Sequence, residues 1–255
     1  MAERFCETCG RKLDFQDRYC DMCGKSQYPC LNQLFSGHKK LNFVDVSNHD
    51  LPFIESRLGP LLKTCANLES VFKADVNTVS EFDSFLVCLR FATLLCRITN
   101  STTFIARSAT KTPDMKVNNE SQTIYFEVTR LEDKIGFQPM KLIISVTPLD
   151  KVEQAFLNKV DDKLKQAAAC AGSFILVIES QRDWNSGQFP LQAMQVEISK
   201  IVGAYSNISG IILLYQELSC PNGSRPEGVF IRNTTASHPI SSNGPAELEN
   251  MLRCN

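Results

Sequence analysis

Four cysteines near the N-terminus constrain this chain more than anything else in it. They read Cys6-x2-Cys9, then ten residues, then Cys20-x2-Cys23, with Gly10 and Gly24 directly after the pairs. Each Cys-x2-Cys turn presents two thiolates on one side of a tight loop, and two such turns complete a tetrahedral sulfur shell around a d10 ion such as zinc. The glycines permit the positive φ that lets backbone amides approach the sulfurs. An iron site or a pair of disulfides are the other uses of the same residues. A segment of about 30 residues buries too little apolar surface to fold alone, so the metal is expected to be structural, with Cys6, Cys9, Cys20 and Cys23 as its ligands. Cys30 falls outside the pattern and stays unassigned.

The spacing is that of a zinc ribbon, over residues 1–30. Its surface mixes Arg4, Arg11, Lys12, Arg18 and Lys25 with Glu3, Glu7, Asp14, Asp17 and Asp21, so neither charge selects a partner. The cysteines beyond Cys30 are scattered singly (Cys65, Cys88, Cys96, Cys170, Cys220, Cys254) and read as reduced thiols, in keeping with a cytoplasmic protein. The net charge of −1 offers no global positive field for nucleic acid or an anionic membrane, so any such contact needs a local patch. No apolar core or cleavage site follows Met1-Ala2-Glu3-Arg4, and the apolar stretch from Phe85 to Ile98 is interrupted by Arg90 and Arg97 and is too short to span a bilayer. No secretory signal and no membrane span are expected.

Residues 31–49 lack periodicity and are expected to link the ribbon to a larger domain at 50–255. There, Ile54, Leu58, Leu61, Leu62, Cys65 and Leu68 recur at helical spacing, with Gly59-Pro60 expected to break or kink the run. Ser80-x2-Asp83 is a cap-like start to an apolar helix reaching Ile98. Strands are expected at Thr102–Arg107, Asp114–Val117 and Thr123–Thr129, with Asn118 to Ser121 as a turn and a further strand at Lys141–Val146. A helix after Thr147-Pro148-Leu149-Asp150 carries Val152, Phe156, Val160, Leu164, Ala167 and Ala171 on one stripe. A buried strand at Ser173–Glu179, a helix at Leu191–Tyr205, a strand at Ile208–Tyr215 and a short one at Val229–Arg232 complete the order. The fold class is α/β: a mixed central sheet with flanking helices, plus the small ribbon. Without GxGxxG, GxxxxGK[ST] or GxSxG, the dinucleotide, P-loop and hydrolase classes lose their main support.

One constellation can carry chemistry. Pro113-Asp114 heads the second strand of a hairpin, and Glu127 lies in the partner strand within Ile124-Tyr125-Phe126-Glu127-Val128-Thr129. Two carboxylates on adjacent strands can hold one hard divalent ion, which activates water and stabilises charge on a phosphate. An outward Asp and Glu on a half-solvated hairpin are equally the ordinary surface of a sheet.

The segments Lys111-Thr112-Pro113-Asp114-Met115-Lys116-Val117 and Tyr125-Phe126-Glu127-Val128-Thr129, preceded by a helix and followed by a helix and a buried strand, resemble the restriction-endonuclease-like, or PD-(D/E)xK, nuclease superfamily. The resemblance spans Ser80 to Glu179. It implies an αβββαβ core, Asp114 and Glu127 as catalytic acids binding Mg2+ or Mn2+, and endonucleolytic hydrolysis of nucleic acid, DNA ahead of RNA. Glu81 is a candidate for the additional acid some members carry. The family's lysine position is occupied by Thr129, which supplies no positive charge. The expected substitute is Lys163, which shares a helix with Gln166 at i,i+3, and both are taken as candidate catalytic residues; Lys141 and Arg130 are the alternatives. The competing reading is a catalytically inactive fold whose ribbon recruits a protein or nucleic acid. Trp184, in the polar loop from Arg182 to Gly187, is a candidate for base stacking or for packing over a sheet edge.

Overall fold

The computed structural model describes residues 4–6, 8–13, 19–47, 49–107, 112–119, 122–131, 157–158, 160–163, 166–180, 195–215, 228–241 and 243–253. A two-stranded pair, β1 (Arg4–Phe5) and β2 (Lys12–Leu13), belongs to the ribbon. The larger unit holds a mixed six-stranded sheet in the order β3 (Thr102–Phe104), β4 (Met115–Asn118), β5 (Thr123–Leu131), β6 (Ser173–Ser180), β7 (Gly210–Tyr215), β8 (Gly228–Arg232). β3, β4 and β5 form an antiparallel meander, β5, β6 and β7 run parallel, and β8 closes the sheet antiparallel. The helices are α1 (Pro29–Phe35), α2 (Leu51–Thr64), α3 (Leu68–Asp75), α4 (Val79–Leu95), helical residues 157–158, 160–163 and 166–168 (α5), α6 (Gln195–Val202) and α7 (Gly244–Met251).

The sheet sorts its side chains by strand alternation. Phe126 and Val128 of β5, Ile175 and Val177 of β6 and Ile212 and Leu214 of β7 join the core built with α4, where Phe91 meets Phe126 at a centroid distance of 5.2 Å. The alternate residues, Leu176, Ile178, Ile211 and Leu213, pack with Val160 and Ala167 of α5 and with Ile198 and Val202 of α6. Phe174 through Ile178 are completely buried, as a central parallel strand covered on both faces requires.

Residues 31–49 are not a spacer. α1 and a 3-10 turn at Phe43–Val46 place Leu31, Leu34, Leu41, Phe43 and Val46 in the main core. The segment hides from periodicity because its apolar residues come from two short elements. Glu55 of α2 accepts from the amides of Cys30 at 2.7 Å and Leu31 at 2.9 Å, capping the first turn of α1.

α2 runs through Pro60 instead of breaking there. Pro60 removes the donor that Ser56 would receive, but both residues face solvent, where water satisfies the carbonyl, while Leu58 and Leu61 are buried on the opposite side. α4 begins earlier than Ser80: the Thr78 hydroxyl accepts from the Glu81 amide at 3.2 Å, and Glu81 Oε2 accepts from the Asn77 amide at 2.8 Å. The strands expected at Thr102, Asp114, Thr123, Ser173, Ile208 and Val229 are present with shifted ends. α7 has no counterpart in the sequence reading; Leu248 and Met251, its buried apolar pair, are too few to set a period. The expected Lys141–Val146 strand and Trp184 lie outside the described residues.

Candidate metal and active-site residues

In the ribbon, the two turns are built alike. The Gly10 amide donates to the Cys6 carbonyl and the Gly24 amide to the Cys20 carbonyl, each at 2.8 Å, with φ of 70° and 67° at the glycines. The amides of Cys6 and Cys20 then close onto the carbonyls of Arg11 and Lys25 at 2.8 and 2.9 Å. Cys6 Sγ lies 3.6 Å from Cys23 Sγ, Cys9 Sγ lies 3.4 Å from Cys20 Sγ, and the four sulfurs are all within 4.8 Å of one another. Four thiolates around one zinc at about 2.3 Å are about 3.8 Å apart, so the cluster has the size of a tetrahedral sulfur shell and can hold such an ion. The protons of the cluster are shared unevenly: the amides of Thr8 and Cys9 pull the Cys6 thiol down to about 6, while Cys9, against the pull of the Arg11 amide, is pushed up to about 12 by the neighbouring thiols and burial. Cys30 takes no part: burial and Glu55 push its thiol up to about 11.

The ribbon core is Cys6, Leu13 and Cys20 and shares no residue with the main core. Stripping metal with a chelator, or Cys9→Ser, is therefore expected to remove amide-exchange protection from the described ribbon residues while leaving the stability of the main unit within about 1 kcal/mol of the parent. Hydrogen exchange and urea denaturation on the same samples check this; loss of the main transition would contradict it.

The second cluster sits where β4 begins. Asp114 is fixed on both sides: its amide donates to the Phe126 carbonyl at 3.1 Å, and its carbonyl accepts from the Ile105 amide at 2.9 Å. Its side-chain Oδ2 accepts from the Val128 amide at 2.8 Å. Met115 pairs with Phe126, so Asp114 stands one step further along the ladder, opposite Glu127. Glu127 is 3% exposed and points to the side of the sheet that α5 covers. Lys163 of α5 donates from Nζ to Glu127 Oε1. Gln166, one helical turn on and buried, donates from Nε2 to the Thr112 carbonyl at 3.2 Å, which docks α5 against the segment leading into Asp114.

Two acceptors remain. Glu127 Oε2 and Gln166 Oε1 are buried without a hydrogen-bond partner among the described residues. Burying an unmatched oxygen is costly, and oxygen ligands are what hard divalent cations take. Burial, and then the charge of Glu127, push Asp114 up to about 7, against the opposing pull of the Val128 amide, Lys163 and Arg107. The two acids thus feel each other across the strand pair.

The other candidates lie elsewhere. Glu81 caps α4, and its Oε1 is 3.6 Å from Arg107 Nη1. Arg130 projects to the other face of the sheet, where its Nε donates to Glu179 Oε2 at 2.8 Å; Arg90 of α4 donates to Glu179 Oε1, also at 2.8 Å. Lys141 is outside the described residues. Sequence reading missed Arg107, whose charge reaches Asp114, and the Arg90, Glu179 and Arg130 group. The available signal for that group was a single arginine inside an otherwise apolar helix. Among the described residues, no helix is long and apolar enough to cross a membrane.

No known family, curated protein or solved structure matches this chain. Function is therefore read from the site itself.

The raised Asp114 carboxyl has a consequence for stability. Its proton is held more tightly folded than unfolded, where a carboxyl titrates near 3.9, so the stability it contributes at low pH is lost as pH rises from about 4 through about 7. In protein without added divalent ion, Asp114→Asn, which keeps an acceptor for Val128, is expected to stabilise by roughly 2 kcal/mol at pH 8, after allowance for partial solvent screening. The gain should vanish near pH 4. Urea titrations at both pH values measure it, and a pH-independent difference would count against a strained acid.

Proposed function

We propose that this chain is a metal-dependent nuclease: a four-cysteine zinc ribbon over residues 1–30 joined to a restriction-endonuclease-like domain that hydrolyses phosphodiester bonds, DNA ahead of RNA. One observation carries the reading. Asp114 and Glu127 face each other on adjacent strands, and Lys163 from α5 delivers its ammonium to Glu127, the acid after which the family pattern would place the lysine now replaced by Thr129. The succession α4, β3, β4, β5, α5, β6, with its antiparallel meander followed by a parallel strand, supports it.

Asp114 and Glu127 are the residues that would hold the divalent ion. Such an ion supplies an acidified water and positive charge beside the scissile phosphate. The Val128 amide fixes the Asp114 carboxylate, so that no reorientation is needed when charge develops. Lys163 orients Glu127 and contributes positive charge toward the phosphate as the bond to the leaving oxygen breaks. Gln166 secures α5, and with it Lys163, through the Thr112 carbonyl. The zinc in the ribbon is structural.

A second reading, an inactive fold that recruits a protein or nucleic acid, is favoured by one specific feature: the Lys163 ion pair neutralises Glu127 without any metal. In that case the exposed Phe5, Tyr19 and Met22 of the ribbon become the contact surface. Incubation with plasmid, single-stranded DNA and RNA in Mg2+ and in Mn2+, beside the Asp114→Asn, Glu127→Gln double variant, separates the two. Cleavage lost in the variant is expected; no cleavage of any substrate by the parent would leave the recruiting fold.

A further inference from the structure

Away from the acids, two cysteines meet at the ends of two helices. Cys65 follows the last residue of α2 and Cys96 the last residue of α4, and each backbone is held by its helix, Cys65 N to Leu61 O at 2.8 Å and Cys96 N to Ala92 O at 3.0 Å. Their sulfurs lie 3.9 Å apart. The Thr64 hydroxyl sits beside both, 3.4 Å from Cys96 Sγ and 3.8 Å from Cys65 Sγ.

The pair is reachable. Cys65 lines an open cavity of about 420 Å3 together with Leu62, Leu68, Gln33, Glu69 and Lys73, room for far more than a water-sized oxidant. Cys96 is itself partly exposed. The other described thiols of the main unit are differently placed: Cys88, as buried as Cys65, lies near the charges of Asp114 and Glu127, Cys170 donates to the Gln166 carbonyl at 3.3 Å, and Cys30 is held beside Glu55.

We propose that Cys65 and Cys96 form an oxidative modification site, in which a hydroperoxide oxidises Cys96 and Cys65 resolves the product as a disulfide tying α2 to α4. The Cys96 thiolate attacks the terminal oxygen of the hydroperoxide; an S–O bond forms, the O–O bond breaks, and the alkoxide leaves and takes a proton from water. Cys96 is then a sulfenic acid, oxidised by two electrons, and the hydroperoxide is reduced to an alcohol or water. The Cys65 sulfur next attacks the Cys96 sulfur; the S–S bond forms, the S–O bond breaks, and the hydroxyl departs as water with the Cys65 proton. The sulfurs close from 3.9 Å to a bond of about 2.05 Å, a movement within side-chain reach because they already touch.

The electrostatics agree with this division of roles. The Cys65 thiol, as hydrogen-bond donor, pulls the Cys96 thiol down to about 6 against the effect of burial, with Thr64 assisting. Cys65 is correspondingly pushed up, first by Cys96 and then by burial, in line with Cys65 as the resolving residue. The site is independent of the nuclease reading: it uses no residue of the acid pair.

The test uses the full chain loaded with zinc and treated with hydrogen peroxide, then alkylated and digested without reductant for peptide mass mapping. A Cys65–Cys96 crosslink is expected to form before any other, two hydrogens lighter and reversed by dithiothreitol, while Cys30, Cys88 and Cys170 stay alkylatable. With Cys65→Ser, Cys96 should accumulate as a dimedone-labelled sulfenic acid; with Cys96→Ser, oxidation of Cys65 should slow about tenfold or more. The parent digest decides the question even if a variant folds poorly. A first crosslink among other cysteines, or Cys96 oxidising no faster than Cys30 and Cys88, would overturn the proposal.

Discussion

Lys163→Ala is expected to lower phosphodiester cleavage about 10²–10³-fold, the usual loss when one fixed positive or hydrogen-bonding group is removed from a developing oxyanion. Thr129→Lys added to that variant is expected to recover much of the rate. The cause is geometric. Thr129 lies two residues after Glu127 in β5 and so projects to the same side of the sheet, the side from which Lys163 of α5 reaches Glu127. A lysine at either position can bring an ammonium to that carboxylate. Single-turnover cleavage in Mn2+ measures both variants. If Lys163→Ala cut at the parental rate, the cation would have to come from elsewhere, and Lys163 would be only a counter-ion that keeps Glu127 buried.

The largest stability effect is expected on the opposite face of the sheet. Glu179 is 3% exposed and accepts from Arg90 and Arg130 through separate oxygens, both at 2.8 Å. Removing one member of a buried ion group leaves the remaining charge without compensation, a penalty of about 3–5 kcal/mol. Glu179→Ala should therefore destabilise by that amount, because Arg90 would stay enclosed within α4 and the sheet. Arg130→Ala should cost much less, about 1 kcal/mol, since its side chain is partly open to water. Urea midpoints for the two variants check the order; equal losses would show that the group does not act as a buried centre.

The same two faces explain what could be read from the chain. β5 and β6 were legible because Ile124, Phe126 and Val128 alternate and because Phe174 to Ile178 is continuously apolar. α4 was legible as a buried helix, but its start falls earlier than Ser80, since the Thr78 and Glu81 cap competes with an equally cap-like Ser80. The segment 31–49 was not legible: Leu31, Leu34 and Phe43 become core only by joining a cluster in which Phe35 meets Phe72 and Phe82 from later helices.

The site divides in the same way. Local spacing carries the four cysteines, and the structure gathers them. Asp114 and Glu127 can be picked out from a hairpin, but their closeness depends on the register of Met115 against Phe126. Lys163 and Gln166 were reachable only by supposing which face of a later helix turns to the sheet, and the geometry brings both to the strand ends. For the pairing of Arg90 with Glu179, 89 residues away, the lone arginine in an apolar stretch signals a buried charge but not its partner.

The proposed ion site is tested most directly by a calorimetric Mn2+ titration of zinc-loaded protein, with the Asp114→Asn, Glu127→Gln double variant alongside. A Mn2+ site is expected in the parent that disappears in the variant while the zinc content stays the same. Equal Mn2+ binding by the two proteins, or none by either, would contradict an ion held between Asp114 and Glu127.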